Sequence, residues 1–295
     1  MTAGGILLVD KPGGLTSHDV VARARRSLGT RKVGHAGTLD PMATGLLVIG
    51  VDAATRLLTF AVGLDKTYEA TMRLGEATNT DDAEGEQTVQ TDASSLTAEQ
   101  IEAALQPLRG AISQVPSTFS AIKVDGRRAY DLARSGEDVQ LKAREVIVSR
   151  LEVVAERRHG SVVDLDVIVD CSSGTYIRAL ARDLGSSLGV GGHLTALRRT
   201  RIGPFSVSDA VGPDDVDRGR LRGSALVASE ILGRFDVTAE EARDLRHGKR
   251  LAGAADRLPA SPIAAVAPDE TLVGIVERRG ADVKSAMNMP EGDSA

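Results

Sequence analysis

The chain has 295 residues, which is above the roughly 100–200 residues of a typical domain, so the sequence predicts one large domain and one small one. Hydrophobic residues make up 42% of the chain and charged residues 26%, which fits a globular protein, and no apolar run approaches the ~18 residues of a membrane helix. Cys171 is the only cysteine, so a disulfide framework is excluded, and no Cys/His cluster has the spacing of a zinc site. These features predict a cytoplasmic protein.

The charge is unevenly distributed. The formal net charge of −5 argues at first against a nucleic-acid partner. However, the chain between Arg73 and Arg109 contains no basic residue, whereas cations gather in two other segments. These cations are Lys11, Arg23, Arg25, Arg26, Arg31 and Lys32 near the start, and Arg178, Arg182, Arg198, Arg199 and Arg201 further on. Arginine suits bidentate contacts with phosphate, but a solvated arginine-rich surface fits the charge pattern equally well.

The first 110 residues predict alternating strands and helices. Ser17 is the expected cap of a helix whose apolar positions recur at helical spacing up to the stop signal Gly29. Thr97 and Gln100 form a capping-box pattern for another helix. In chain order, the expected elements are a strand from Gly5 to Val9, a helix to Leu28, a loop from Thr30 to Gly45, a strand from Leu46 to Val51, a short helix from Ala53 to Ala61, a strand from Thr67 to Leu74, a polar loop from Gly75 to Ser95 and a helix from Ala98 to Leu108.

The remainder predicts paired strands and a β-rich tail. The expected elements are a strand from Ser120 to Val124, a helix from Arg127 to Ser135, paired strands from Glu145 to Ala155 and Ser161 to Asp170, a helix from Thr175 to Leu188, extended segments from His193 to Arg201 and Pro204 to Val207, a helix from Ser224 to Leu232, strands from Ile263 to Ala267 and Leu272 to Glu277, and a frayed end after Asn288. This interleaving predicts an α+β fold with a mixed, largely antiparallel sheet and peripheral helices. We expect a catalytic domain over residues 1–232 and a small β-rich domain over 233–295.

The glycine-rich segment from Gly34 to Gly45 (GHAGTLDPMATG) carries the most information. Its three glycines and one proline impose an irregular backbone around one carboxylate, that of Asp40. An isolated Asp-Pro pair usually marks only a turn, but the whole segment resembles the catalytic loop of the pseudouridine synthases of the bacterial tRNA pseudouridine-55 class. In that family the aspartate is the catalytic nucleophile.

Five other segments resemble motifs of the same family, in the same order. They are LVDKPGGLTS from Leu8, DKTY from Asp65, TNTDDAEG from Thr78, CSSGTYIR from Cys171 and GHLTALRRT from Gly192. The resemblance extends from Gly5 to about Val207, and the tail resembles a short version of the family's C-terminal PUA RNA-binding domain. It implies an isomerase that converts uridine 55 in the T-loop of tRNA to pseudouridine by base flipping.

The resemblance assigns roles to individual residues. Asp40 is the catalytic carboxylate, which attacks C1′ or C6 or stabilises a glycosyl cation, and the sequence does not choose among these. Arg178 is the guanidinium expected to pair with Asp40 in a dry pocket. Tyr68 stacks on the flipped uracil, and its hydroxyl is a second candidate, as a relay for the C5 proton. Tyr176 is the second tyrosine of the pocket and Leu197 its apolar wall.

The remaining assignments concern the RNA around the target base. His35 is interpreted as a wedge that fills the gap left by the flipped nucleotide, in preference to a general base. Lys11 and Lys32 are expected to contact phosphates, and Asp82 to lie near the RNA. Phe119 stands where many members of the family carry tyrosine, which puts any hydroxyl function there in doubt. The other four histidines, His18, His159, His193 and His247, are interpreted as structural or exposed.

Three classes of function remain in competition. An enzyme acting alone accounts for Asp40, Arg178 and Tyr68 together, whereas an RNA-folding protein without catalysis accounts only for the basic segments. A subunit similar to the guided pseudouridine synthases of archaea and eukaryotes would share the motifs, but the chain has no long basic extension to hold partners. We therefore expect a monomeric enzyme that binds the T-stem-loop of tRNA and needs no cofactor, metal, membrane or protein partner.

Overall fold

The computed structural model describes residues 4–117 and 141–290, together with the backbone of residues 123–124 and 127–128. The α-helices in these ranges are α1 (Ser17–Leu28), α2 (Leu58–Val62), α3 (Ala98–Leu105), α4 (Ile177–Ser187), α5 (Ser224–Leu232) and α6 (Ala239–Arg246). The strands are β1 (Gly5–Lys11), β2 (Val33–Ala36), β3 (Thr44–Val51), β4 (Lys66–Leu74), β5 (Glu76–Thr78), β6 (Gln87–Gln90), β7 (Gly110–Gln114), β8 (Lys123–Val124), β9 (Arg127–Arg128), β10 (Arg144–His159), β11 (Val162–Cys171), β12 (Gly192–Ile202), β13 (Phe205–Ser206), β14 (Arg222–Gly223), β15 (Arg234–Asp236), β16 (Ile263–Val266), β17 (Leu272–Arg279) and β18 (Asp282–Asn288).

The chain forms two compact units, and the first contains the residues up to Pro41, Gly45–Gly63 and those from Gly203 onward. Within it, β1 pairs antiparallel with β14 and β3, and β3 pairs antiparallel with β2. Helix α1 buries Val20, Val21, Ala24 and Leu28 against the apolar side chains of β1 and β3, and this packing forms one core. Burial of four apolar side chains explains why the helical spacing in the sequence is so regular.

A small sheet at the end of the chain has a core of its own in the same unit. Strand β16 pairs parallel with β15 and antiparallel with β17, which pairs antiparallel with β18. Helix α6 contributes Ala242 and Leu245 to the core beneath these strands. This arrangement confirms the β-rich tail, although α6, β15 and β18 were not expected from the sequence. The boundary between residues 232 and 233 stays a prediction.

The second unit contains Met42–Thr44 and the described part of Leu64–Ile202. Its sheet has the order β12–β4–β11–β10–β7, and every pair in it is antiparallel. Helix α4 packs on β12 at very short range: a Cβ on Gly185 would lie 2.2 Å from the backbone of Gly191, and a Cβ on Gly192 would lie 2.4 Å from the carbonyl of Ala181. Glycine at these two positions therefore brings the helix close to the strand.

The antiparallel α+β fold is confirmed, and the differences in local structure have simple causes. The segment from Thr30 to Gly45 was expected to be a loop but contains β2. Buried and exposed side chains do not alternate along β2, so its sequence does not predict a strand. The acidic segment from Gly75 to Ser95 contains the hairpin β5–β6, in which the four residues of β6 are all exposed. Such a hairpin leaves little hydrophobic pattern in the sequence, and the same holds for β7.

Two further corrections concern helices. The cap of α1 is Thr16 rather than Ser17, since the Thr16 side chain accepts the Asp19 N–H and the Asp19 carboxylate accepts the Thr16 N–H. The capping box of Thr97 and Gln100 is confirmed. Residues 127–128 form a strand where a helix was expected. The described residues do not include the rest of the segment from Ser120 to Ser135, Phe119 or the last five residues of the tail.

No helix in the described part of the chain is long and apolar enough to cross a membrane.

Candidate active site

The backbone of the loop that carries Asp40 is fixed on both sides of this residue. On one side, Ser17 Oγ accepts the N–H of Leu39 at 2.9 Å and donates to the carbonyl of Leu39 at 3.1 Å. On the other side, the carbonyl of Pro41 accepts the N–H of Gly14 at 2.8 Å. These donors and acceptors come from the turn between β1 and α1, from the first residue of α1 and from the loop itself. The segment from Leu8 to Ser17 therefore helps to fix the backbone on both sides of the half-buried Asp40.

Lys11 holds the same loop from the inside. Its side chain is fully buried, and Nζ donates to the carbonyls of Leu15 at 2.6 Å, Pro12 at 3.0 Å and Pro41 at 3.2 Å. The ammonium thus donates to backbone oxygens of both the β1–α1 turn and the Asp40 loop. The sequence predicts a phosphate contact for Lys11, and the burial argues against that interpretation. A charge pattern alone does not distinguish a buried lysine from an exposed one, and the phosphate contact of Lys11 stays a prediction that its burial does not favour.

Replacing Lys11 with methionine is expected to destabilise the protein without weakening RNA binding. Methionine keeps an unbranched apolar side chain but leaves three backbone carbonyls without their charged donor, which costs about 1–3 kcal/mol. Urea denaturation measures this loss as a lower midpoint at unchanged slope. Lys32→Met is the matched control, because Lys32 is exposed and the same loss of charge there is expected to leave the midpoint unchanged. An unchanged midpoint for Lys11→Met, together with weaker RNA binding, would support a phosphate contact of Lys11 instead.

His35 lies on β2, next to the Asp40 loop. Its ring packs edge-to-face with that of His18 on α1, with ring centroids 5.5 Å apart and planes at 85°. His18, expected to be structural or exposed, is therefore the ring neighbour of His35 in the first unit. The role of His35 as a wedge stays a prediction.

In the second unit, Tyr68 and Leu197 lie on one buried face of the sheet. Along β4 the buried positions alternate strictly, and Tyr68 is only 7% exposed. Leu197 on β12 is opposite Ala70, which follows Tyr68 by two residues, so the two side chains are diagonal neighbours. Helix α4 packs on β12 and β4. Tyr68 and Leu197 are thus close together on one buried face, and their roles as a stacking ring and an apolar wall stay predictions.

Arg178 forms a buried ion pair with Asp82. Its Nη1 lies 3.0 Å from Asp82 Oδ2 and donates to the carbonyl of Thr80 at 3.0 Å, and both side chains are about 5% exposed. Asp82 Oδ1 in turn accepts the Thr80 hydroxyl at 2.6 Å and the N–H of Glu84 at 3.1 Å. The resemblance predicts only that Asp82 lies near the RNA. The structure makes it an anionic partner of the guanidinium, and the expected pairing of Arg178 with Asp40 stays a prediction.

The loop around Asp82 is held by its neighbour Asp81. Its backbone adopts a left-handed conformation (φ 61°), and its carbonyl accepts the N–H of Leu194 at 3.0 Å. The Asp81 carboxylate lies 3.3 Å from Nη1 of Arg182, one turn along α4 from Arg178. Burial raises the pKa of the Asp81 carboxyl, and the nearby Arg182 opposes this shift. The loop and the helix are therefore joined by two Asp–Arg pairs.

Tyr176 immediately precedes α4, and its backbone is bound by a side chain that the sequence analysis did not single out. Gln114 accepts the N–H of Tyr176 at 2.8 Å and donates to its carbonyl at 3.0 Å. Ser17 and Arg182 were named only as a helix cap and as one of the clustered cations, and their contacts with Leu39 and Asp81 were not predicted. Each of these three side chains contacts groups that lie far away in the sequence, so no local pattern predicts the contacts. His193, interpreted as structural, is buried and within 3.0 Å of the carbonyl of Glu76 through Nδ1.

Three family models match consecutive parts of the chain. The model for the N-terminal domain of the TruB family pseudouridylate synthases matches residues 25–177, that for the tRNA pseudouridylate synthase B C-terminal domain matches residues 178–226, and that for the C-terminal region of tRNA pseudouridine synthase II matches residues 232–290. The first model alone covers more than half of the chain.

Curated relatives and solved structures agree with these matches. The tRNA pseudouridine synthase B of Leifsonia xyli subsp. xyli is 52% identical, and the alignment covers 100% of this chain and 99% of the relative. The tRNA pseudouridine synthase B of Mycobacterium sp. (strain KMS) is 56% identical, and the alignment covers 93% of this chain and 92% of the relative. A crystal structure of a Cbf5-Nop10-Gar1 complex is 25% identical with a TM-score of 0.67, covering 92% of this chain and 78% of the other. A structure of an H/ACA RNP bound to a substrate RNA shares the fold, with a TM-score of 0.69 at 23% identity over 99% and 87%. The chain therefore belongs to the TruB family of pseudouridylate synthases.

Proposed function

We propose that this protein isomerises uridine 55 in the T-loop of tRNA to pseudouridine. The observation that carries the proposal is Asp40, in the segment that resembles the family's catalytic loop, with the backbone of both neighbours bound by Ser17, Gly14 and Lys11. A nucleophile or charge-stabilising carboxylate must be placed accurately relative to the reacting bond, and a loop fixed in this way meets that requirement. The names of the relatives, tRNA pseudouridine synthase B, support the same substrate class.

The reaction breaks the bond between N1 of uracil and C1′ of the ribose and forms a new bond between C5 and C1′. The C5 proton is lost to solvent and N1 becomes protonated, so no electron acceptor or donor is required. The Asp40 carboxylate assists cleavage of the first bond, either by covalent attack or by stabilising the charge that develops on the sugar. The buried charges of Arg178 and Asp82 supply a preorganised polar environment in the second unit.

A uridine in folded RNA must leave its stack before this chemistry occurs, and the protein must replace the lost stacking. Tyr68 and Leu197 share a buried face, which suits them to hold a flipped uracil by stacking and apolar contact. We propose Tyr176 as a second aromatic contact and His35 as the wedge that fills the space left in the RNA. The arginines outside the acidic segment would bind phosphates despite the negative net charge. We also propose that the enzyme acts as a monomer in the cytoplasm, without a cofactor, metal or guide RNA.

The substrate is tested with an isolated T-stem-loop RNA that carries tritium at C5 of its uridines. The purified protein is expected to release tritium to water from this RNA without added cofactor, metal or guide RNA. A structured loop presents bases that can be splayed out, so the isolated arm is expected to suffice. The matched control is the same RNA with cytidine in place of the target uridine, from which we expect no release.

Each other outcome of this experiment identifies a competing function. Tight, salt-dependent binding without tritium release from either the T-stem-loop or intact tRNA would favour an RNA-folding protein. Release that occurs only after a guide RNA is added would favour a guided subunit. Equal release from the cytidine control would contradict the assignment of position 55, because another uridine would then be the target.

A further inference from the structure

Gln114 is a buried polar residue at the end of the edge strand β7, and both ends of its amide bind one residue. It is only 2% exposed. Its Oε1 accepts the N–H of Tyr176 at 2.8 Å, and its Nε2 donates to the carbonyl of Tyr176 at 3.0 Å. The amide thus pairs with the backbone of Tyr176 as a neighbouring strand would, and both polar groups of that residue are bound.

Tyr176 determines where α4 begins. It occupies the N-cap position, its own side chain provides no capping hydrogen bond, and its carbonyl also accepts the N–H of Leu180 at 3.3 Å in the first helical turn. Because Gln114 binds the N–H and the carbonyl of this residue together, it fixes both the position of Tyr176 and the start of the helix. Arg178 leaves the helix two residues later, so its guanidinium depends on the same anchor.

The residues that follow Gln114 are bound to the same helix and loop. The carbonyl of Val115 accepts Nη2 of Arg182 at 2.7 Å, and the hydroxyl of Ser117 donates to the carbonyl of Thr80 at 3.3 Å. That Thr80 carbonyl also accepts Nη1 of Arg178. The segment from Gln114 to Ser117 is therefore connected at three points to the elements that hold the Arg178–Asp82 pair.

We propose that Gln114 is a positioning residue for the isomerisation, which acts by holding the backbone of Tyr176 and thereby the placement of Tyr176 and Arg178. This inference rests on the proposed function, since it assigns Gln114 a role in that reaction. The amide does not need to contact the RNA. A shift of about 1 Å in groups that surround a reacting base is enough to reduce the rate about 100-fold, so loss of the anchor is expected to affect turnover more than binding.

The test is Gln114→Met, which keeps the length and apolar packing of the side chain but removes both hydrogen bonds. We expect kcat on T-stem-loop RNA to fall about 10- to 100-fold while KM changes less than about threefold. Gln90→Met is the matched control, because Gln90 is exposed on β6, and it is expected to match the wild type. Gln114→Leu also removes both hydrogen bonds and keeps an apolar side chain of similar size, so it is expected to lower kcat in the same way and replaces Gln114→Met where the methionine variant does not fold.

A second measurement reports on Tyr176 directly and requires no RNA. The chain contains three tyrosines, Tyr68, Tyr130 and Tyr176, so incorporation of 3-fluorotyrosine gives a fluorine spectrum with three resonances that Tyr→Phe variants assign. Gln114→Met is expected to shift or broaden the Tyr176 resonance and to leave the Tyr68 resonance in place. An unchanged kcat, or a reduced kcat with an unchanged Tyr176 resonance, would overturn the proposal. Inactive wild-type protein would contradict the proposed function instead, and the fluorine spectrum would still test the anchor.

Discussion

Asp40→Asn is expected to abolish turnover, with a loss greater than about 1,000-fold in kcat, while RNA affinity stays within about tenfold of the wild type. Asparagine is close in size to aspartate, so the hydrogen bonds of Leu39 and Pro41 to the β1–α1 turn are retained and the loop keeps its shape. What is lost is the negative charge, and with it the capacity to attack or stabilise the sugar when the glycosidic bond breaks. Binding depends on many phosphate contacts and loses little from one carboxylate.

The measurement is tritium release from the labelled T-stem-loop under single-turnover conditions, together with a binding isotherm for the same RNA. Asp209→Asn provides the matched control, since it makes the same chemical change at an exposed carboxylate and is expected to leave both values unchanged. Residual activity of Asp40→Asn above a few per cent would mean that another carboxylate carries the chemistry. Asp82 is the first alternative to examine in that case, because its carboxylate is buried beside Arg178.

The sequence predicted the elements whose buried side chains leave a clear pattern. Helix α5 matches its expected bounds, and β1, β3, β4 and β11 differ by two residues or fewer at each end. Buried positions alternate along β4, whereas β1 and β3 are almost continuous buried apolar runs, and both patterns indicate a strand. Strand β2 was missed because its four residues are held by pairing with β3 rather than by hydrophobic alternation. The exposed strand β6 was not predicted for the related reason that it buries none of its side chains. Pairing with a distant strand leaves no local signal.

The candidate site was predicted unevenly for the same physical reason. Asp40, Tyr68 and Arg178 were found through contiguous motifs, whereas the side chains that hold them act across long sequence separations. Ser17 binds Leu39, 22 residues away, and Gln114 binds Tyr176, 62 residues away. The sequence also assigned Lys11 to the phosphate-binding surface, although three backbone carbonyls surround its ammonium. Contiguous motifs therefore predict the candidate reactive residues, whereas the side chains that hold them are visible only in the structure.

Arg178→Lys is expected to reduce kcat about 100-fold and to lower the free energy of unfolding by about 1–3 kcal/mol, although the positive charge is retained. Nη1 of Arg178 reaches Asp82 Oδ2 and the carbonyl of Thr80 at the same time, both at 3.0 Å, from a side chain that is almost completely buried. A lysine ammonium is a compact point charge on a side chain of different reach, so it does not place a nitrogen where Nη1 makes both bonds. One of the buried partners is then left without its donor, which costs more than the loss of an exposed ion pair.

The effect is measured by tritium release and urea denaturation, with Arg150→Lys as the matched control. Arg150 is 44% exposed and pairs with Glu152, so its replacement is expected to change the free energy of unfolding by less than about 0.5 kcal/mol. Asp82→Asn completes a double-mutant cycle: if the two residues act as one unit, the double variant is less destabilised than the sum of the single variants. Strictly additive free energies, together with wild-type activity of Arg178→Lys, would show that the buried pair supports neither the fold nor the reaction. Strong coupling with a loss of kcat but little change in RNA affinity would mean that the pair acts on the bound base, because an interaction made only in the transition state affects kcat and leaves binding intact.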